Sequence, residues 1–342
     1  MAPGIEEEGV ETLSMNGNNK MQVKNFIWSE EEWPTLKHDD FGDVDDDIPV
    51  ISLNNGIWEN QEFYENICQV LVKASEKWGF FKLVNHGVPN EIVENYTTRL
   101  HELFDLPMEQ KLKGGKTSNL PLGYYASNPE YGQNLPWAEV LQLLVTRNGC
   151  RIREKEYMKE MDKLGIIIFG MLAHGLGLED DFFSKNFEEK EATYFRINRY
   201  PPCPLPEKIV GIGIHSDPQT LTILHQDQIG GLQILKDDKQ WVGVRPLANS
   251  FIINIGTSIG YRSIAEPFGD PQHSSTGNGS LHRTSTQKIK RQRTDNRLRH
   301  NEAAGGSLQV NRVRFMEVRA TVISQGSGPR TRFTKIQNVG TP

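Results

Sequence analysis

Cysteine is scarce, long apolar runs are missing and no glycine-rich phosphate cradle occurs anywhere in the chain. Three cysteines, Cys68, Cys150 and Cys203, are spread through 342 residues. That spacing excludes a disulfide framework or a cysteine zinc site as the organising device, and a reducing, cytoplasmic setting is expected. No window of about 18 or more apolar residues occurs, so no membrane span is expected. The longest apolar region, "GIIIFGMLAHGLGL" from Gly165, is interrupted by His174 and by glycines. It reads as a buried helix. The N-terminus has neither a basic segment nor an apolar one after it, so no secretory signal is expected. No internal repeat is found.

What is present suits a soluble globular protein. Hydrophobic residues make up 37% and aromatics 9%, enough for one large domain or two modest ones. The net charge of −6 is unevenly spread. From Arg262 onward there are 14 Lys/Arg against 5 Asp/Glu, so the preceding residues carry about −15. Residues 1–47, with "EEEGVE", "SEEEW" and "HDDFGDVDDD", read as an acidic flexible leader. The basic run "QKIKRQRTDNRLRH" at 287–300 has no interleaved aromatics and no recognisable module. It reads as a solvated segment, and no nucleic-acid partner is expected.

Periodicity organises the rest. "IPVISL" from Ile48 reads as a strand. Phe63, Ile67, Val70, Leu71 and Ala74 recur at helical spacing. "GFFKLVNHGV" reads as a buried strand closed by a turn. A second helix follows Pro89, with Ile92, Tyr96, Leu100, Leu103 and Phe104 on one face. "GYYASNPEYGQNLPWAE", rich in Gly, Asn and Pro, reads as loop. Helical spacing returns from Lys155 to Gly177. From Ala192 the texture changes to short β-like runs, "ATYFRINRY", "LTILHQ", "LQILK", "WVGVRP" and "FIINIG", separated at intervals of about ten residues. That is the pattern of a sandwich or barrel. Beyond Gly256 polar residues dominate, and only "LQVNRVRFMEVRATVI" at 308–323 alternates. The tail, 261–342, is expected to be largely irregular apart from a short strand there.

The residues with metal chemistry are in "IHSDPQ". In an extended segment, residues two apart project to the same face, so His215 and Asp217 can aim an imidazole and a carboxylate at one point. Two histidines and one carboxylate form the facial triad of non-haem Fe(II) oxygenases, which leaves positions open for cosubstrate and O₂. A bare H-x-D triplet is a weak signal, and its neighbours decide its meaning. His225, ten residues past His215, reads either as a third ligand or as a polar side chain at a strand end, and the family resemblance given below favours the strand end. His86 and His174 read as structural. Cys203 reads as packing, because no basic neighbour suggests thiolate activation.

Five stretches supply the context: "WGFFKLVNHGV" (78–88), "NLPWAEVLQLL" (134–144), "RINRYPPCPLP" (196–206), "HSDPQTLTILHQDQIGGLQIL" (215–235) and "WVGVRPLANSFIINIG" (241–256). Together, and in this order, the chain resembles the plant 2-oxoglutarate- and Fe(II)-dependent dioxygenases. "NLPWAE", "GLGLEDDFFSKNFEEKEAT" and "HSDPQTLTIL" resemble the gibberellin-oxidase branch, above all gibberellin 2-oxidases. The resemblance implies a mainly β fold with helices: a double-stranded β-helix, or jelly roll, with a helical N-terminal region, incomplete at its C-terminal end. The expected divisions are 1–47 for the leader, 48–158 for the N-terminal region, 159–260 for a truncated jelly-roll region and 261–342 for the tail. His215 and Asp217 match the first two metal ligands, and Asn198 and Tyr200 match positions that help hold 2-oxoglutarate. The implied reaction couples decarboxylation of 2-oxoglutarate to hydroxylation of a small organic substrate, with ascorbate as reductant. A monomer is expected.

The chain departs from the implied pattern after "NIG". Thr257 replaces an Asp, and Glu266 stands where the second His is expected. The Arg-x-Ser pair that would hold the distal carboxylate of 2-oxoglutarate has a formal substitute in Arg283–Ser285, ten residues after His273, but in a Gly/Ser-rich context. The third ligand position is left to His273, to Glu266 or to loss. Impaired turnover is therefore expected. The alternative is an inactive family member, or a frameshifted or mis-spliced product acting at most as a binding protein.

Overall fold

The period-two runs after Ala192 become the middle of a large sheet. The computed structural model describes residues 23–34, 48–115, 122–126, 135–145, 155–185, 193–236, 240–256, 316–323 and 335–337, the last two as backbone. The strands are β1 Val50–Ser52, β2 Phe80–Val84, β3 Gly123–Ala126, β4 Glu139–Val145, β5 Thr193–Tyr200, β6 Leu221–Gln226, β7 Gln233–Leu235, β8 Trp241–Gly243, β9 Ser250–Ile255, β10 Met316–Ile323 and β11 Lys335–Gln337. The helices are α1 Gln61–Trp78, α2 Asn90–Phe104, α3 Met108–Leu112, α4 Lys155–Gly175 and α5 Phe182–Lys185. Among the described residues no helix is long and apolar enough to cross a membrane.

Eight strands form one sheet in the order β1-β2-β9-β6-β10-β5-β4-β3, and three form a second, β11-β7-β8. The pleat sorts side chains between the two faces of the large sheet. Phe81, Leu83, Phe195, Ile197, Leu221, Ile223, Phe251 and Ile253 pack against α1, α2 and α4. Their neighbours Phe80, Leu224 and Ile252 turn the other way and pack against Leu232, Ile234 and Val244 of the small-sheet layer. The result is helices, large sheet and small sheet in three layers. α1 shows why the helical layer forms where it does. The Asn60 side chain accepts from Phe63 N–H at 3.1 Å, and Gly79 ends the helix with φ 65°. Cys68, Leu71, Val72, Ala74 and Trp78 line its buried stripe.

Within the alternating stretch of the C-terminal tail, Met316–Ile323 is a strand, β10, and 308–315 lie outside the described residues. β10 lies between β5 and β6 and is parallel to both, whereas β6–β9, β2–β9, β4–β5 and β3–β4 are antiparallel. Without β10 the large sheet falls into two pieces, each with an open edge. β11 extends β7 in the same parallel sense.

The stretch 123–139, read as loop, includes strand β3 and ends at the start of β4. Gly123 has φ 102°, and Tyr124 N–H donates to Gly114 O at 2.7 Å, which turns the chain into register with β4. Glycine and proline around these residues hid the strand. Residues 127–134 lie outside the described residues.

Residues 23–34 fall within the stretch read as an acidic leader. They form two short 3₁₀ turns, Lys24–Phe26 and Glu30–Glu32, and an antiparallel bridge from Ile27 to Ile209. Phe26 is buried with Trp137, Cys203 and Ile209. The acidic surroundings concealed these apolar anchors. By contacts the chain divides into residues 1–262 with 314–342, and residues 263–313. The second unit lies outside the described residues.

Candidate metal centre

After β5 the chain runs through "PPCPLP" and a series of turns before reaching His215 and Asp217, then enters β6. His215 Nδ1 is 2.9 Å from Gly213 O. A carbonyl only accepts, so Nδ1 carries the proton and Nε2 keeps its lone pair. Nε2 stands 3.4 Å from Asp217 Oδ1. Asp217 is 3% exposed, and its other oxygen, Oδ2, is engaged by Thr222 Oγ1–H at 2.9 Å and Asn254 Nδ2–H at 2.6 Å. Each of the two side chains is therefore tied on one side and presents an acceptor on the other. Two facing acceptors at this distance repel unless a cation, a proton or a metal ion, lies between them. Outer hydrogen bonds of this kind orient metal-binding imidazoles and carboxylates.

Thr222 and Asn254 are the partners that sequence reasoning missed. Both are polar residues inside otherwise apolar strands, "LTILHQ" and "FIINIG", and that interruption is the signal they left. Gly256, directly after β9, donates its N–H to Thr220 O at 3.1 Å. A Cβ built on Gly256 would overlap Gln219 O, so the end of β9 presses on the backbone of the Asp217 loop. This contact brings Asn254 to Asp217.

Asn198 and Tyr200 occupy alternate positions on β5, on the face opposite Phe195 and Ile197. Asn198 is 0% exposed; its Oδ1 accepts from Arg196 Nε–H at 2.9 Å and its Nδ2 has no partner. Gln219 Oε1, close to the metal pair in the chain, is also buried without a partner. Such orphaned buried polar atoms fit a polar ligand. Tyr200 packs with Tyr125, Ala138 and Val140. A buried ion network fixes this end of β5. Glu139 accepts from Lys111 Nζ at 3.1 Å and from Arg199 Nη1 at 3.2 Å.

The other histidines lie elsewhere. His225 and His86 flank Phe251, with ring centroids 5.9 Å and 4.6 Å away, and line a cleft of about 420 Å³ against α2. Burial, and secondarily His86, pushes the His225 imidazole down to about 4, while burial lowers His86. Both are held neutral. His174 Nδ1 lies 2.9 Å from Asp180 Oδ1. Burial pushes the Cys203 thiol up to about 12, which opposes thiolate chemistry.

The residues fit two positions of a divalent cation. Among the described residues, no group of three or more His, Cys, Asp or Glu side chains could hold a metal ion. His273, Glu266 and Arg283 lie outside the described residues. β10 sets Arg319 in register with Arg196 on one side and Leu224 on the other.

Residues 48–161 match the family described as "non-haem dioxygenase in morphine synthesis N-terminal", and residues 192–288 match the "2OG-Fe(II) oxygenase superfamily". Gibberellin 20 oxidase 2 of Arabidopsis thaliana is 31% identical over 261 residues, covering 70% of this chain and 66% of that protein. Naringenin,2-oxoglutarate 3-dioxygenase of Petunia hybrida is 32% identical over 260 residues, 72% of this chain and 69% of that one. The chain thus spans about two thirds of the length of these relatives. Among solved structures, JOX2 in complex with 2OG, Fe and JA has a TM-score of 0.61 at 29% identity, with 74% of each chain covered. The three-layer arrangement is accordingly the jelly roll of the 2OG-Fe(II) oxygenases.

Proposed function

Because the chain belongs to the 2OG-Fe(II) oxygenase superfamily, we propose that it is an oxidoreductase dependent on Fe(II) and 2-oxoglutarate that hydroxylates a small, gibberellin-like organic substrate. The observation that carries this reading is the pair of facing acceptors, His215 Nε2 and Asp217 Oδ1, 3.4 Å apart and each tied from behind. Bound iron supplies the coupling of 2-oxoglutarate decarboxylation to substrate hydroxylation. The side chains divide the remaining work. Gly213 O holds the His215 ring, and Thr222 and Asn254 hold Asp217 through Oδ2. Asn198, with a free buried donor, and Tyr200 face the cosubstrate. In this reading residues 48–158 form the N-terminal region and 159–260 the bulk of the jelly roll. Ascorbate serves as reductant. The gibberellin assignment is supported by the "NLPWAE" and "HSDPQTLTIL" stretches and by the gibberellin oxidases among the relatives.

A second reading, a family member with little turnover, is favoured by Thr257 and Glu266, which replace the Asp and His of the pattern that the resemblance implies. Decarboxylation of 2-oxoglutarate with Fe(II), ascorbate and a panel of gibberellins separates the two. Gibberellin-stimulated decarboxylation that disappears in Asp217→Ala supports the first. Metal-dependent 2-oxoglutarate binding without turnover supports the second. Loss of activity in His273→Ala assigns the third ligand to His273.

A further inference from the structure

Residues 201–214, between β5 and His215, contain no strand, yet they must hold a metal-binding imidazole in one orientation. We propose that residues 23–34 form a strap that is part of the metal centre, with Trp28 as a positioning residue for His215. This rests on the reading of His215 as a metal ligand.

The strap grips the loop along its length. Ile27 bridges to Ile209, and Trp28 N–H donates to Lys208 O at 3.2 Å. Phe26 meets Trp137 edge-on, centroids 4.9 Å apart, and Trp137 donates from Nε1 to Pro201 O at 3.1 Å and from its backbone N–H to Val210 O at 3.0 Å. The Trp28 ring is itself fixed. Its Nε1–H donates to Leu135 O at 3.0 Å, and its carbonyl accepts from Trp33 Nε1–H at 2.9 Å. The Lys208 ammonium lies 5.2 Å from the centroid of the Trp33 ring. The edge of the Trp28 ring fills the space that a side chain on Gly213 would need, so that a Cβ there would overlap it. Gly213 is the residue whose carbonyl accepts the hydrogen bond from His215 Nδ1–H. The indole therefore backs the one hydrogen bond that sets the His215 tautomer and ring plane.

Residues 23–34 lie N-terminal to both family-matched stretches, 48–161 and 192–288. Fixing a loop costs roughly 1–2 kcal/mol per residue, and contacts supplied from outside offset that cost before metal arrives.

The test uses the full chain, Mn(II) as probe with electron paramagnetic resonance as readout, and amide exchange of 209–215 without metal. Trp28→Ala is expected to weaken Mn(II) binding by about 10–100-fold, the usual effect of removing support behind a ligand, and to speed exchange at 209–215. Trp28→Phe keeps an aromatic edge over Gly213 and is expected to remain within about 3-fold of the parent, an estimate scaled from the same range. It also covers the case in which the alanine variant does not fold. Gly213→Ala should match Trp28→Ala, and the double variant should be no worse than Trp28→Ala, because the space left by the indole accepts the methyl. Unchanged Mn(II) affinity and unchanged exchange in Trp28→Ala overturn the proposal. If the parent binds no Mn(II), or His215→Ala binds as well as the parent, the ligand reading of His215 fails instead. The strap is then decided by exchange alone: faster exchange at 209–215 supports it and unchanged exchange overturns it.

Discussion

Replacing Glu139 with alanine removes the carboxylate from the most deeply buried ion network among the described residues. Glu139 is 0% exposed, and the side chains of Lys111 and Arg199 are 1% and 7% exposed. Glu139 accepts from Lys111 at 3.1 Å and from Arg199 at 3.2 Å. After truncation the Lys111 ammonium keeps the Phe104 carbonyl at 2.9 Å, and Arg199 keeps Asp105 at 3.7 Å. Asp105 has a 70% exposed side chain, so solvent screens that attraction. Two cations then stand close together in a site that water does not reach. Breaking a buried pair by removing one partner costs about 3–5 kcal/mol. With a urea slope of about 2–3 kcal/mol/M, the midpoint falls by roughly 1–2 M. The double variant Lys111→Met, Glu139→Gln removes one cation and leaves an acceptor for Arg199, and should lose less than half as much. Urea unfolding followed by circular dichroism measures both. A loss below about 1 kcal/mol for Glu139→Ala, the range of exposed ion pairs, would refute the reasoning.

Three further outcomes follow from the same structure. Asn254→Ala and Thr222→Val each remove one of the two hydrogen bonds to Asp217 Oδ2 and should each weaken divalent-metal affinity by about 10-fold or more, read by Mn(II) titration. Gly256→Ala sets a methyl against Gln219 O and should cost both stability and metal affinity, whereas Gly177→Ala, with no atom within 4 Å of the added carbon, should leave metal affinity unchanged. The folded-state value of His225 is depressed to about 4 from 6.5. Above pH 6.5 the imidazole is neutral folded and unfolded, so it adds no pH dependence. Between 6.5 and about 4 only the unfolded state takes up the proton, and stability falls with pH, by about 2 kcal/mol between pH 7.5 and 5. His86 is lowered in the same sense, so the comparison of parent with His225→Gln at the two pH values isolates the His225 share.

Strands whose two faces differ announced themselves in the sequence. "LTILHQ" and "FIINIG" alternate because one face meets the helical layer and the other the small-sheet layer, "ATYFRINRY" because its second face packs Tyr200 against Tyr125, Ala138 and Val140, and an alternating pattern in the tail marked β10. Pairing direction leaves no such trace, so the parallel setting of β10 was not readable. β3 escaped because its pairing depends on the backbone of Gly114 and Gly123, not on a side-chain pattern. The 23–34 strap escaped because Phe26, Ile27, Trp28 and Trp33 are few among many acids. At the candidate centre, the spacing of His215 and Asp217 foretold that their side chains stand together, 3.4 Å apart. Thr222 and Asn254 were not legible in this way, since only the antiparallel pairing of β6 with β9 sets both beside Asp217. Lys111 and Arg199 stand 28 and 60 residues from Glu139 in the chain, so only the fold brings them together.

The central claim is that His215 and Asp217 hold iron beside 2-oxoglutarate. The most direct measurement is the anaerobic visible absorption of the full chain with Fe(II) and 2-oxoglutarate, where chelation of the cosubstrate to iron gives a charge-transfer band. The account predicts that band in the parent chain, its loss in Asp217→Ala and in His215→Ala, and an unchanged band in His225→Gln. A parent chain without the band, or a band that survives in the His215→Ala, Asp217→Ala double variant, would contradict it.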